Sequence, residues 1–128
     1  MRKLSLFCAA AFATAAVLLG FHAAASGEDH HAAPAVRVQG EVLDLACWIA
    51  HEAKGPDHAG CAVKCLKGGQ PMGLMTKDGK VYLLLADHDD ASAYDEAKGL
   101  GGKNVEVEGP VAERGGMHGI TVKAVKPL

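Results

Sequence analysis

Three cysteines and one histidine occur within a short segment of the chain. Cys47 and Cys61 are separated by 13 residues, Cys61 and Cys65 by three, and His58 lies three positions before Cys61. Thiolate and imidazole groups bind borderline and soft metal ions such as zinc and copper, and four of them suit a tetrahedral site. The segment therefore predicts a zinc or copper ion held by Cys47, Cys61, Cys65 and His58, although the spacing is not that of a standard zinc finger.

A short helix over residues 57–67 would position most of these ligands. Asp57 can cap its first turn, and the two glycines that follow Lys67 can end it. Cysteines four residues apart project from one face of a helix with Cβ atoms about 5–6 Å apart, and in a regular helix His58 lies on the same side one turn earlier. The neighbouring stripe is apolar and is expected to pack against the rest of the domain: Ala59, Ala62, Val63 and Leu66.

Two further residues are weaker candidates for the same site. His51 lies in the same segment and could replace His58 as the nitrogen ligand. Asp44 precedes Cys47 by three residues. Its carboxylate could orient a metal-bound histidine through a hydrogen bond, or it could cap the turn at the end of a strand.

A disulfide is the competing interpretation of these cysteines. Exported proteins normally have oxidised cysteines, so Cys47 could pair with Cys61 or with Cys65 and leave one spare thiol. A bridge between Cys61 and Cys65 is disfavoured within an intact helix, because a disulfide requires Cβ atoms about 3.8 Å apart. Under this interpretation the protein is a non-enzymatic binding or interaction module stapled by one disulfide.

The amino-terminal residues predict export from the cytoplasm. Arg2 and Lys3 form a positive start, residues 4–20 carry no charge and are mostly apolar or small, and three alanines at 23–25 form a small-residue exit. These are the three parts of a secretory signal. We therefore expect residues 1–25 to be a signal peptide cleaved near Ala25, which leaves a periplasmic or secreted protein without a stable membrane anchor.

Removal of the predicted signal peptide changes the composition and the net charge of the mature chain. Lys and Arg together fall from 13 to 11 against 15 Asp and Glu, so the formal charge becomes −4, which argues against a nucleic-acid partner. Cys8 is also removed, so the three remaining cysteines all lie within residues 46–70. Residues 26–35 are polar, small and proline-containing, and predict a flexible leader.

Most of the remaining sequence has the patterns of β-strands. Asp78-Gly79 is a hairpin signal, and a second short helix is predicted at 91–98, between the third and fourth strands. Alternating or continuous apolar residues predict five strands, at 36–46, 71–75, 80–86, 103–111 and 117–125. Five strands in this order, with a helix before the fourth, are typical of the OB-fold barrel.

Three segments resemble small bacterial exported OB-fold proteins. They are GEVLD at 40–44, DGKVYLLL at 78–85 and the final hairpin at 101–126, and the resemblance covers residues 36–126. It implies a mainly β domain at 36–128, a five-stranded OB-fold-like barrel. The Cys/His-rich insertion at 46–70, with its short helix, would lie after the first strand. The resemblance implies no particular activity, since OB barrels perform many functions.

The sequence favours a binding role over an enzymatic one. It contains no Ser–His–acid signature, no phosphate-binding glycine loop and no CxxC redox motif. An enzyme would have to use Cys61 or Cys65 as a nucleophile with His58 as its base. We therefore expect a metal-binding protein with a structural or metal-handling role, whose protein partner is unknown.

Overall fold

The computed structural model describes residues 33–128, so the predicted signal peptide and most of the predicted leader lie outside the described residues. No helix in this part of the chain is long and apolar enough to cross a membrane. The elements are strand β1 (Ala35–Asp44), helix α1 (Leu45–His51), a single 3₁₀ turn (Pro56–His58), helix α2 (Ala59–Lys67), strands β2 (Met72–Met75) and β3 (Val81–Leu85), helix α3 (Ser92–Lys98), and strands β4 (Asn104–Arg114), β5 (Met117–Thr121) and β6 (Ala124–Pro127).

Strands β1 to β5 close a mixed barrel. The first part of β1, residues 35–41, pairs antiparallel with β4, and its end, residues 41–44, pairs antiparallel with β2. Strand β2 pairs antiparallel with β3, β3 runs parallel to β5, and β5 returns antiparallel to β4. The mainly β, OB-fold-like barrel predicted from the sequence is therefore confirmed, and it carries three short helices.

The last predicted strand is divided into two, which corrects the single segment expected at 117–125. Strand β5 ends at Thr121 and β6 begins at Ala124, where it pairs with the first part of β4. In the link between them, the Val122 amide donates to Leu85 O at the end of β3, and the next amide, that of Lys123, donates to Glu108 O of β4. The register on β4 then shifts by one residue: Val111 is opposite Ile120, but Glu108 is opposite Ala124 and not Lys123, so the ladder is interrupted at this point.

The core fills the barrel and extends beneath helices α2 and α3. Leu66 of α2 and Ala97 of α3 are fully buried, which fixes both helices on the barrel. Burial of a leucine side chain of this kind contributes about 1.5–3 kcal/mol, so Leu66 is a major attachment point for α2. The remaining buried members of the cluster come from the strands and the link after β5: Val42, Met72, Leu74, Leu84, Val105, Val107, Ile120 and Val122.

Candidate metal centre

Asp44 positions the first cysteine by starting helix α1. The sequence predicts a strand that continues to residue 46, but β1 ends at Asp44 and α1 follows at once. The amides of Ala46 and Cys47 donate to Asp44 Oδ1 at 3.0 and 3.4 Å. This is N-terminal capping of a helix by an aspartate, and it places Cys47 in the first turn of α1, next to the end of the strand.

Helix α2 positions the other two cysteines. Ala62 and Leu66 are buried against the barrel, while Cys65 is half-buried and Cys61 is exposed on the adjoining face. Gly101 allows this close packing because it has no side chain: a Cβ atom at this position would lie only 2.9 Å from the Cβ atom of Ala62. The predicted apolar face of the helix is therefore the one that contacts the barrel, and the two thiols lie beside it.

The start of this helix differs from the expectation. The sequence predicts one helix at 57–67 capped by Asp57, but a 3₁₀ turn at Pro56–His58 runs directly into α2. The residue before α2 is His58, and its side chain makes no capping hydrogen bond. The Ala59 amide instead donates to Pro56 O, so the preceding turn supplies the acceptor that a capping side chain would otherwise provide.

These elements bring candidate metal ligands together in two groups of three. In the first, which we call the thiol triad, the Sγ atoms of Cys47, Cys61 and Cys65 lie within 4.8 Å of one another. In the second, the mixed triad, the ligand atoms of Asp44, Cys47 and His58 lie within the same distance of one another. Cys47 belongs to both triads. All three cysteines are free thiols in the described part of the chain.

The expected ligands are thus present but are arranged differently from the expectation. His58 groups with Asp44 and Cys47, and not with all three thiols at once. Asp44, a weaker candidate from sequence, is 1% exposed and is a member of the mixed triad. His51, the other weaker candidate, is exposed at the end of α1 and belongs to neither triad of the described residues.

Two polar atoms of the mixed triad are buried without a partner among the described residues. They are Asp44 Oδ2 and His58 Nε2. A buried polar group left without a hydrogen bond costs about 1–3 kcal/mol, so such atoms are expected to bind a partner such as an ordered water or an ion. A bound cation would satisfy both, because a carboxylate oxygen and a neutral imidazole nitrogen are metal ligands.

The surroundings of Cys47 and Cys65 favour the protonated form of both thiols. Hydrogen bonding to the Asp44 carboxylate, burial and the neighbouring thiols raise the pKa of Cys47 to about 12. Burial, Asp44 and Cys61 likewise raise the pKa of Cys65. Neither thiol is aligned to donate a well-formed hydrogen bond to Asp44 Oδ2 itself. In the metal-free protein these two cysteines are therefore protonated at neutral pH and are poor nucleophiles.

The pKa of the Asp44 carboxylate shifts in the opposite direction, to a lower value. Burial opposes its ionisation, but the contacts from the Cys47 and Cys65 thiols, together with the amides of Cys47 and Ala46, outweigh burial and lower the pKa of Asp44. Asp44 is therefore negatively charged at neutral pH. A fixed negative charge beside protonated thiols attracts a cation that can displace their protons.

Metal binding at this cluster is expected to strengthen as the pH rises. Cys47 and Cys65 must lose their protons to become ligands, and their raised pKa values keep those protons bound at neutral pH. Zinc titrations between about pH 6 and about pH 8 should show an apparent affinity that increases up to about tenfold per pH unit for each proton released. Calorimetry in buffers of different ionisation enthalpy would count the protons, and an affinity independent of pH would contradict thiolate ligation.

A shallow apolar groove lies beside α1. Ile49 is 73% exposed there, and Trp48 is half-buried. The groove is lined by residues of α1, β3 and the start of β5: Leu45, Trp48, Ile49, Val81, Leu83 and Met117. This is the face on which OB barrels commonly bind ligands, and the periodic patterns of the sequence do not reveal it because its parts are far apart in the chain.

Comparison with known proteins finds no matching protein-family model, no similar curated protein and no similar solved structure. The fold and the triads define a small OB-fold-like barrel with Cys, His and Asp side chains grouped at metal-binding distances. Any function must therefore be argued from the chemistry of this cluster, because a barrel of this class can perform many functions.

Proposed function

We propose that this protein is an exported metal-binding protein in which Cys47, Cys61 and Cys65 hold a zinc or copper ion. The observation that carries the proposal is the approach of their three Sγ atoms to within 4.8 Å of one another. A zinc–sulfur bond is about 2.3 Å long, so sulfur ligands of one tetrahedral ion lie about 3.8 Å apart. Small side-chain rotations would bring the thiol triad to that separation.

The exposure of Cys61 in the thiol triad supports a metal-handling role. Cys61 is exposed, and three protein ligands leave one position of a tetrahedral ion open to water or to an incoming ligand. Sites of this kind can exchange their ligands or their metal, whereas purely structural zinc sites are closed by four protein ligands. The ion would also connect α1 with α2, so it would stabilise the insertion as well.

Export is the second part of the proposal. It is supported by the signal-like residues 1–25. Thiols in an oxidising compartment form disulfides unless something protects them, and a bound metal ion provides such protection. The competing function, a module stapled by a disulfide from Cys47 to Cys61 or Cys65, requires the same proximity of sulfur atoms.

Metal content and thiol count distinguish these two functions. We expect protein purified from the exported fraction without added metal to contain at least one equivalent of zinc or copper by elemental mass spectrometry. Denaturation with a chelator should then release three reactive thiols, because the three remaining cysteines are all reduced. An intact mass that begins near residue 26 would support cleavage near Ala25.

Two variants provide the matched comparison. Cys61→Ser should lose metal from the thiol triad at little cost to folding, because Cys61 is exposed. His51→Gln changes an exposed residue outside both triads and should retain the metal of the wild type. Wild-type protein with no metal and a single reactive thiol would contradict the proposed site and favour the disulfide.

A further inference from the structure

A single ion in the thiol triad would leave two candidate ligands of the mixed triad, Asp44 and His58, without a metal. Asp44 is 1% exposed, and its Oδ1 already accepts the amides that start α1. Its Oδ2 and His58 Nε2 are buried and have no partner among residues 33–128. One ligand atom each from Asp44, Cys47 and His58 lie within 4.8 Å of one another. We propose that Asp44, Cys47 and His58 bind a second divalent metal ion, and that the Cys47 thiolate bridges it to the ion in the thiol triad.

The donor types fit a zinc-class ion. Carboxylate oxygen, imidazole nitrogen and thiolate sulfur all bind zinc, at about 2.0–2.2 Å for oxygen and nitrogen and about 2.3 Å for sulfur. The mixed triad offers one of each, and its ligand atoms need only a small approach to reach these distances. This second ion rests on the proposed function, because the bridge requires an ion in the thiol triad.

The arrangement of the two triads points to two ions and not to one. Ligands of a single tetrahedral ion must all lie close to one another, but His58 groups with Asp44 and Cys47 while Cys61 and Cys65 group with Cys47 alone. Cys47 is common to both groups, which is the position a bridging ligand occupies. A thiolate has more than one lone pair and can bind two metal ions at once.

Charge balance also indicates two divalent ions. Three thiolates and the Asp44 carboxylate carry four negative charges, and His58 is neutral when it binds a metal. Two divalent cations neutralise these four charges, whereas one would leave a net charge of −2 on a cluster that includes the fully buried Asp44 carboxylate. Unpaired charge is unfavourable in a buried position, so the second cation stabilises the fully deprotonated cluster.

The stoichiometry of metal binding tests this inference. Full-length or mature protein, reduced and freed of metal, would be titrated with zinc, passed through a desalting column and analysed by elemental mass spectrometry. We expect about two equivalents per chain in the wild type. Cadmium substitution should give two NMR resonances with scalar coupling between them, because the Cys47 sulfur would connect the two ions.

Variants of the mixed triad should remove one ion and leave the other. Asp44→Asn retains a side chain that can cap α1, and His58→Gln changes a residue whose side chain makes no capping bond, so both should fold. Each is expected to lower the stoichiometry from about two equivalents to about one and to abolish the cadmium–cadmium coupling. His51→Gln is the control and should keep two, and circular dichroism would verify folding of each variant.

The possible outcomes separate this inference from the proposed function. Two equivalents in the wild type and one in His58→Gln support the bridged pair. One equivalent in the wild type, or an unchanged two in His58→Gln, overturns the second site but leaves the thiol triad as a metal site. No metal in fully reduced wild-type protein overturns both.

Discussion

Cys47→Ser is expected to cause the largest loss of metal of any single substitution, because Cys47 is the residue common to both triads. Structural zinc binds with about 10–16 kcal/mol shared among its ligands, so one lost thiolate weakens a site by about 3 kcal/mol, or more than 100-fold. A hydroxyl replaces the sulfur in the first turn of α1, where the side chain is half-buried, and the fold should tolerate it. Zinc competition against a chromophoric chelator measures the loss.

The control for this experiment is a cysteine that serves one triad only. Cys61→Ser removes a ligand from the thiol triad and leaves the mixed triad complete. The expected order of residual zinc is therefore wild type, then Cys61→Ser, then Cys47→Ser. If the two serine variants retain equal amounts of zinc, Cys47 does not contribute to both triads, and the inference that it is a ligand shared by two ions is wrong.

The sequence predicts the barrel well because its strands have regular patterns. Val105 and Val107 alternate with polar residues and are fully buried, as the period of two requires. The break between β5 and β6 does not follow from this pattern. It depends on a one-residue shift in the register of pairing with β4, and such long-range pairing leaves no local signal.

The sequence predicts which residues form the site better than it predicts how those residues are arranged in space. The expectation that His58 shares a face with Cys61 and Cys65 assumes α-helical geometry from residue 57 onward. Residues Pro56–His58 form a 3₁₀ turn instead, which rotates the chain by about 120° per residue and not by about 100°. The side chain of His58 therefore projects in a different direction and meets Asp44 and Cys47.

The sequence indicates two possible roles for Asp44, as a helix cap or as a partner of a metal-bound histidine, and does not distinguish between them. An aspartate at the end of an apolar strand can cap a following helix, and Asp44 does cap α1. What the sequence cannot show is the orientation of its second oxygen, because that depends on how α1 and α2 are each placed against the end of β1. The same packing determines which thiols approach one another, so the two triads are visible only in the folded structure.

Gly109→Ala is expected to be the most destabilising substitution in the barrel. A Cβ atom at Gly109 would lie 1.8 Å from the backbone oxygen of Thr121 and 3.0 Å from its carbonyl carbon. Gly109 lies where β4 changes its pairing from β6 to β5, and the bonds from Val122 and Lys123 hold the end of β5 in place beside it. Backbone cannot move aside as a flexible side chain can. We therefore expect a loss of about 3 kcal/mol or more from a free energy of unfolding of about 5–15 kcal/mol.

Thermal unfolding of the metal-free protein measures this loss directly, with Gly60→Ala as the matched control. Gly60 lies in α2 and a Cβ there would meet no atom of residues 33–128 within 4 Å, so alanine should stabilise by about 0.5–1 kcal/mol through helix propensity. Gly109→Ala should lower Tm by at least about 10 °C, whereas Gly60→Ala should raise it by a few degrees. The two glycines differ in whether the backbone of a neighbouring strand occupies the space beside them. Equal Tm values for both variants would therefore show that the close approach of β5 to β4 is not a feature of the folded barrel.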